Sequence, residues 1–340
     1  MADLPKLGID IGNSTIKLVE LVPNGKMKWK LVTAASISSV PGGIAGGSAN
    51  LPGLTGALIK LIKESGAKSR RVIAALPEEQ VSSHVVEMPI MKDDELKQAL
   101  QWQVEQYIPI PAEKATWSHQ VISKNEGTGS MEVLLVAASK NLVNSYLQVL
   151  EQAGLSVEAL ETELTATARA VTNPDSPLSV VVDIGSKSSD LGIISRGQLM
   201  FARTIPTAGE SFTRAIETTL GLDATQAEEY KNTYGFSANQ LGGKLVEAMR
   251  PVLNVIATEI KKTVDFYLSK HAGEVVKYVT LSGGIATLPD IVSLLSTMLG
   301  VETVIGNPFE RVVMNEQQQK MLSGSGSFYA VATGLSMREL

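Results

Sequence analysis

The chain has no cysteine and only three histidines, at positions 84, 119 and 271, among its 340 residues. Without thiols, a disulfide scaffold, a thiolate nucleophile and a cysteine-ligated zinc site are excluded. The three imidazoles share no ligand spacing such as HxxxH, and His84 and His119 read as strand-face residues with no metal role. There is no basic excess: 30 Lys and Arg stand against 35 Asp and Glu, a net charge of −5. That argues against sequence-independent binding to nucleic acid, which rests on clustered positive charge. Long apolar runs are missing too. A membrane-spanning helix takes roughly 18 or more apolar residues, and the best window, 279–304, is broken by Ser282, Gly283, Gly284, Pro289, Asp290, Ser293 and Ser296. The first residues, Met1-Ala2-Asp3-Leu4-Pro5-Lys6, lack a charged-then-apolar signal region. The expectation is a soluble, cytoplasmic chain that needs another molecule to hold it at any membrane.

What is present is an ordinary globular balance, 44% apolar and 19% charged, which disfavours disorder and coiled coil. At roughly 150 residues per domain the length makes about two domains. Aromatics are sparse; Trp29, Trp102 and Trp117 read as packing residues, and Met88 and Met91 as core filler.

The chain opens as strand, turn, strand. Leu7, Ile9 and Ile11 alternate, Gly12-Asn13-Ser14 interrupts, and Ile16, Leu18 and Leu21 follow. Pro23-Asn24-Gly25 marks a hairpin turn into a third strand over 27–36. Residues 40–53 are rich in Gly and Ser, and the run Gly42 to Ser48 reads as a flexible surface loop, since it lacks the lysine of GxxxxGK[ST]. Leu54, Leu58, Leu61 and Ile62 have helical spacing, and 72–76 is a strand.

An internal repeat then appears. Val181-Val182-Asp183-Ile184-Gly185 echoes Gly8-Ile9-Asp10-Ile11-Gly12 at an offset of 173, from Asp10 to Asp183. Each copy continues through a small polar run, a second strand, a glycine turn at Gly25 or Gly197, and a third strand. Two related lobes facing one another are expected. Residues 77–154 have no counterpart in the second copy. They read as a strand (81–88), a helix capped by Asp93-Asp94-Glu95 and stopped by Ile108-Pro109-Ile110-Pro111, two strands (116–123 and 131–138), and a closing helix (142–153). This is an inserted α+β unit. Beyond the second copy, 209–273 is mostly helical, with Pro251 inside a long helix over 245–268. Tyr278 to Leu281 is a strand ending at Ser282-Gly283-Gly284, and 316–320 is a solvated loop or helix end.

Tight turns after strands expose backbone N–H groups, and small residues there let a phosphate approach. Gly12-Asn13-Ser14-Thr15 and Gly185-Ser186-Lys187-Ser188-Ser189 both qualify, with hydroxyls as further donors. Asp10 and Asp183, at strand ends, can hold Mg²⁺ through water, because that ion keeps much of its hydration shell. Lys17 can meet a phosphate as a point charge. Gly283-Gly284 is a third close-approach turn, suited to a nucleoside, and three such turns can converge on one cleft.

These motifs resemble those of the actin-like ATPase superfamily. The first phosphate motif corresponds to residues 8–14, the second to 183–190, and the adenosine motif to 281–284. The hinge helices correspond to Glu163-Leu164-Thr165-Ala166 and to 330–334, and Ala227-Glu228-Glu229-Tyr230-Lys231 resembles the helix beside ribose and adenine. Within the superfamily, residues 95–109, with Glu105-Gln106-Tyr107 before prolines, resemble the PilM family of type IV pilus machines.

The resemblance implies an α/β, actin-like (ribonuclease H-like) two-lobed ATPase fold with an inserted α+β subdomain of the SHS2 type, like subdomain 1C of FtsA. Residues 1–76, completed by about 156–178 and 325–340, form the first lobe (subdomain 1A). Residues 77–155 form the insert. Residues 179–324 form the second lobe, divided into 2A (179–208 and 274–324) and 2B (209–273). ATP with Mg²⁺ is implied between the lobes, with Gly209, Glu228, Lys231 and Ile285 joining the three turns as contacts. Asp183 and Glu163 are the implied catalytic positions, Glu163 being either a water-orienting carboxylate or a helix-surface residue. Lys187 replaces a glycine common in the superfamily and either reaches a phosphate or stands in solvent, while Ser188 and Ser189 keep hydroxyls near the terminal phosphate. Binding is therefore more secure than hydrolysis, and at most a slow ATPase is expected. The implied partner is the cytoplasmic N-terminal tail of PilN, docking near the insert and recruiting the chain to the inner face of the cytoplasmic membrane. Other pilus platform or motor proteins and a homo-oligomer are further partners, and nucleic acid is not. Two alternatives share the fold. An FtsA-like division tether is disfavoured because the sequence ends at Leu340 without an amphipathic tail. A small-molecule kinase would need a general base beside an acceptor pocket, and no Asp stands convincingly there.

Overall fold

The computed structural model describes residues 6–107 and 111–339, without the side chains of Trp102 and Gln103. The expected roles of Ile108-Pro109-Ile110, of the first five residues and of the Trp102 ring lie outside the described residues. The first lobe is built on β1 (Lys6–Ile11), β2 (Thr15–Pro23), β3 (Trp29–Ser38), α1 (Leu51–Ser65) and β4 (Arg71–Leu76). Every residue of β1 is buried, as befits a central strand covered on both faces. The third strand starts at Trp29 rather than at 27, because the turn runs on to Lys28, whose carbonyl accepts from Asn24 N–H at 2.9 Å.

The insert follows as β5 (Val81–Pro89), α2 (Asp93–Tyr107), β6 (Ala115–Asn125), β7 (Ser130–Ser139) and α3 (Lys140–Gln152), and the chain returns through β8 (Ser156–Thr162) and α4 (Glu163–Val171). The insert's sheet has the order β5-β7-β6, and Leu96 and Leu100 of α2 pack on its Val86, Met88, Met131 and Val133. Helix α3 departs from the sequence expectation. Its apolar face, Leu142, Tyr146, Val149 and Leu150, enters the core of the first lobe with Leu54, Leu58 and Leu61 of α1. It closes the insert in sequence but completes the first lobe in space.

The second lobe repeats the plan with β9 (Ser179–Ile184), β10 (Ser189–Ser195), β11 (Gln198–Ile205), helices α5 (Gly209–Leu220), α6 (Ala224–Tyr234) and α7 (Lys244–Lys270), then β12 (Tyr278–Ser282), α8 (Ile291–Leu299) and β13 (Glu302–Ile305). Its sheet order, β11-β10-β9-β12-β13, matches β3-β2-β1-β4-β8 of the first lobe strand for strand. In α7, Leu245, Met249, Leu253, Ile256, Ile260 and Tyr267 recur on one buried face, the stripe that lets a long helix cover a sheet.

The chain ends with β14 (Val312–Val313), α9 (Glu316–Leu322) and α10 (Ala330–Ser336). Strand β14 runs parallel to β3, and Phe309, Val312 and Leu322 share a core with Val19, Leu21 and Trp29. Residues from about 309 onward therefore pack with the first lobe, although the sequence expectation kept them in the second up to 324. Residues 316–320 are a true helix, capped reciprocally by Asn315 and Gln318, and the Gln318 amide donates to the carbonyls of Leu31 and Val32. Helices α4 and α10 cross closely at the hinge: a Cβ on Gly334 would lie 1.8 Å from the Ala166 carbonyl oxygen, and one on Gly8 would lie 1.9 Å from that of Ala332. Glycine is the residue that permits such an approach. Among the described residues no helix is long and apolar enough to cross a membrane.

Candidate functional site

A cleft of about 480 Å³ opens between the lobes, within the size range of small-ligand sites. Two equivalent turns form its floor. Gly12 N–H donates to the Thr15 carbonyl at 3.0 Å, and Gly185 N–H donates to the Ser188 carbonyl at 3.0 Å. The repeat noticed in the sequence is thus a repeat of the same turn closure. Asn13, Ser14, Ser186, Lys187 and Ser188 line the cleft from these turns. The third turn reaches the same space through Gly283, Gly284 and Ile285. Gly283 has φ +84°, and a Cβ there would lie 2.4 Å from the Ile184 carbonyl oxygen, so this position needs glycine. Its N–H donates to the Ser327 carbonyl at 3.3 Å, which fastens the turn to the segment leading into α10.

The carboxylates follow from strand register. Lys17 stands opposite Asp10 across β1 and β2, and its ammonium donates to Asp10 Oδ2 at 2.8 Å. In the second lobe the corresponding register pair is Asp183 with Asp190. The repeat is kept in shape and broken in charge: the ion pair of one lobe corresponds to two carboxyl groups in the other. Like charges directly opposite are unfavourable. Burial pushes Asp183 up to about 6, against the pull of Lys17. Burial also raises Asp190, whose oxygens accept from Thr204 Oγ1 at 2.6 Å and Ser188 Oγ at 3.1 Å. Glu163, the first residue of α4, lines the cleft wall and is raised by burial and by Asp10 and Asp190. It is not a free helix-surface residue, because its Oε2 accepts from Glu78 N–H at 3.1 Å.

Other expected residues take different positions. The Ser189 hydroxyl is buried and donates to the Thr207 carbonyl at 2.6 Å, so it points away from the cleft, which its β10 neighbour Asp190 lines instead. Lys187 is exposed at the cleft rim. Lys231 is buried and donates to the Gly209 carbonyl at 3.2 Å, Thr213 Oγ1 at 2.9 Å and Glu228 Oε2 at 2.6 Å. It ties α6 to the start of α5, with Gly209 and Glu228 beside it on the cleft.

Several lining residues carried no sequence signal. The glycine-rich run 42–48, expected to be a flexible surface loop, packs its Ile44 and Ala45 against the cleft. The Asn50 amide donates to the carbonyls of Pro41 and Gly43 at 2.9 Å each, which holds the loop closed. Phe328 lies under Lys17, 4.7 Å from its ammonium. Pro77, Glu79, Gln80 and Tyr146 line the wall nearest the insert. The position of Asp190 was available from the repeat, since it is the counterpart of Lys17.

The groups at the cleft floor are hydroxyl and carboxylate oxygens, backbone amides and the Lys17 ammonium, with Lys187 and Lys231 also on the lining. Among the described residues no group of three or more His, Cys, Asp or Glu is arranged to hold a metal ion directly.

The chain is similar to the cell division protein FtsA of Bacillus subtilis, 23% identical over 198 residues, 52% of this chain and 45% of that protein. It is similar in the same way to FtsA of Escherichia coli K12, 23% identical over 236 residues, 60% of this chain and 54% of that protein. It thus spans about half the length of the curated relatives it matches. Among solved structures, MreB5 of Spiroplasma citri bound to AMPPNP has TM-score 0.56 at 14% identity, over 97% of this chain and 94% of that one, and shows the actin-like fold alone. The PilM–PilN type IV pilus biogenesis complex has TM-score 0.85 at 29% identity, over 98% of both chains. The family described as type IV pilus assembly protein PilM matches residues 8–340, and the chain belongs to that family.

Proposed function

We propose that this chain is an ATP-binding adaptor of the type IV pilus assembly platform, which docks the cytoplasmic N-terminal tail of PilN in a nucleotide-sensitive way and is recruited through it to the inner face of the cytoplasmic membrane. The observation that carries the proposal is the convergence of two equivalent turns and the Gly283-Gly284 turn on one interlobe cleft. Support for the partner comes from the PilM–PilN complex, which has the same fold over nearly its whole length.

The site fits a magnesium nucleotide. Bound there, the nucleotide would supply a chain of negative charge able to bridge the two lobes. The turn amides of 13–14 and 186–188 would orient it, and Lys17 would meet one of its oxygens. Asp10 and Asp183 would hold the hydrated ion, whose charge would offset the burial that raises Asp183. Gly283, Gly284 and Ile285 leave room for the nucleoside, with Glu228 and Lys231 at its rim. Glu163 is the group able to orient a water. Its carboxylate is already engaged by Glu78, so at most slow hydrolysis is expected. Binding shifts the lobes only by its differential affinity for open and closed states, and a switch needs no faster chemistry than that.

Calorimetric titration with a synthetic PilN-type N-terminal peptide, with and without Mg-ATP, tests the proposal. Binding whose affinity changes with nucleotide is expected. No peptide binding in either state overturns the adaptor reading, and binding unaffected by nucleotide removes its switch.

A further inference from the structure

The insert is joined to the first lobe by two connections, and both run through the wall of the cleft. The entry connection, residues 77–80 between β4 and β5, presents Pro77, Glu79 and Gln80 to it. The exit connection runs from β7 through α3, which presents Tyr146, 2% exposed. Burial, reinforced by the carboxylates of Glu163, Asp10 and Glu79, pushes the Tyr146 phenol well up, so it keeps its proton and remains a donor.

Glu78 joins these parts from behind the wall. Its N–H donates to Glu163 Oε2 at 3.1 Å. Its own Oε2 accepts from Leu164 N–H at 3.2 Å, and its Oε1 accepts from Ser83 Oγ, in β5, at 3.4 Å. The entry root and the N-terminus of the hinge helix therefore exchange hydrogen bonds in both directions. Glu163 is shared between the cleft and this exchange. A ligand that draws its carboxylate into the cleft leaves the Glu78 N–H without an acceptor in a buried site, which is costly. Relief comes from moving residues 77–80, and β5 with them. A ligand that leaves Glu163 in place keeps the exchange closed. Those would be two discrete arrangements, the condition for coupling between sites.

We propose that the two roots of the inserted subdomain, residues 77–80 and Tyr146, sense the occupancy of the cleft and transmit it to the insert, with Glu78 as the positioning residue that links Glu163 to β5. This rests on the reading that the cleft holds nucleotide and the insert bears the peptide site.

Hydrogen exchange of the full chain, with and without Mg-AMPPNP, tests it in four proteins: wild type, Glu78→Ala, Glu78→Gln and Tyr146→Phe. In wild type, nucleotide slows exchange at 12–15 and 185–188 and changes it over 78–89 by about tenfold, within the usual range of allosteric coupling. Glu78→Ala keeps the protection of the turns and loses most of the change over 78–89, and Tyr146→Phe loses that change as well. Glu78→Gln, which retains an acceptor for Leu164, restores it. A merely structural role for Glu78 would alter stability without separating these two responses. The proposal is overturned if both loss variants respond over 78–89 as wild type does, or if wild-type turns are protected while 78–89 is unmoved. Absence of protection at the turns in wild type refutes nucleotide binding itself, and the sensor with it. If Glu78→Ala does not fold, Tyr146→Phe and the wild-type comparison still decide the matter.

Discussion

Glu78 is a buried acid, and that has a consequence for stability. Burial raises it from 4.5 to about 7, opposed by its bonds from Leu164, Thr162 and Ser83. Below its ordinary value the group is protonated in the folded and unfolded chain alike, and no penalty arises. As pH rises toward 7 the unfolded chain releases the proton while the folded one retains it, so stability falls; above about 7 the penalty is complete. Its size is on the order of 3 kcal/mol. Glu78→Gln is expected to remove this part of the slope, measured by denaturant unfolding at about pH 5 and about pH 8; an unchanged slope would refute the assignment. Asp183 and Asp190 add penalties of the same sign, and the Gln variant leaves those in place. A second residue-scale expectation concerns Gly334. With the Ala166 carbonyl oxygen 1.8 Å from any Cβ, Gly334→Ala forces α4 and α10 apart. It is expected to cost at least about 1–3 kcal/mol, read as a lowered thermal midpoint. A midpoint at the wild-type value would mean that the hinge crossing is looser than it stands.

Among the elements, the glycine-rich segment 42–48 and helix α3 changed most between sequence and structure. Nothing in the composition of 42–48 distinguishes a mobile loop from a folded wall. Two hydrogen bonds from the Asn50 side chain join the backbone bonds donated by Gly43, Gly46 and Gly47 in folding it. Asn50→Ala is expected to release the loop at a cost of about 1–2 kcal/mol, visible as faster proteolysis near 42–48 and weaker nucleotide binding with the fold intact. Resistance to protease equal to wild type would show that Ile44 and the backbone bonds of the segment hold it without Asn50. Helix α3 was legible as a helix over 142–153, and the structure buries its Leu142, Tyr146, Val149 and Leu150. Periodicity reports that a face is apolar and says nothing about which surface covers it. That surface is α1 of the first lobe, and this brings Tyr146 to the cleft.

For the whole molecule, the cleft depends on both lobes at once, so ligand binding should stabilise the chain as a unit. Saturating Mg-ATP is expected to add stability by mass action, about 2.7 kcal/mol at a hundredfold excess over Kd. Removing magnesium with a chelator should return most of that gain, because Asp10 and Asp183 then face the phosphates without a cation between them. A thermal midpoint that rises equally with metal-free ATP would show that these two carboxylates do not hold the ion.

The sequence by itself determined the doubled lobe, since Asp10-Ile11-Gly12 and Asp183-Ile184-Gly185 specify strand ends and tight turns through local chemistry that needs no partner. It also determined the family, because the motifs recur in order along almost the whole chain. Tertiary structure alone decided which core receives α3 and residues 309–322, that Ser189 turns inward, and that the 42–48 loop lines the cleft. It also decided that Glu78 and Glu163, 85 residues apart, exchange hydrogen bonds. The reason is physical. Turns and alternation are encoded by neighbours in sequence, whereas the burial of a helix face or a carboxylate depends on which distant surface closes over it.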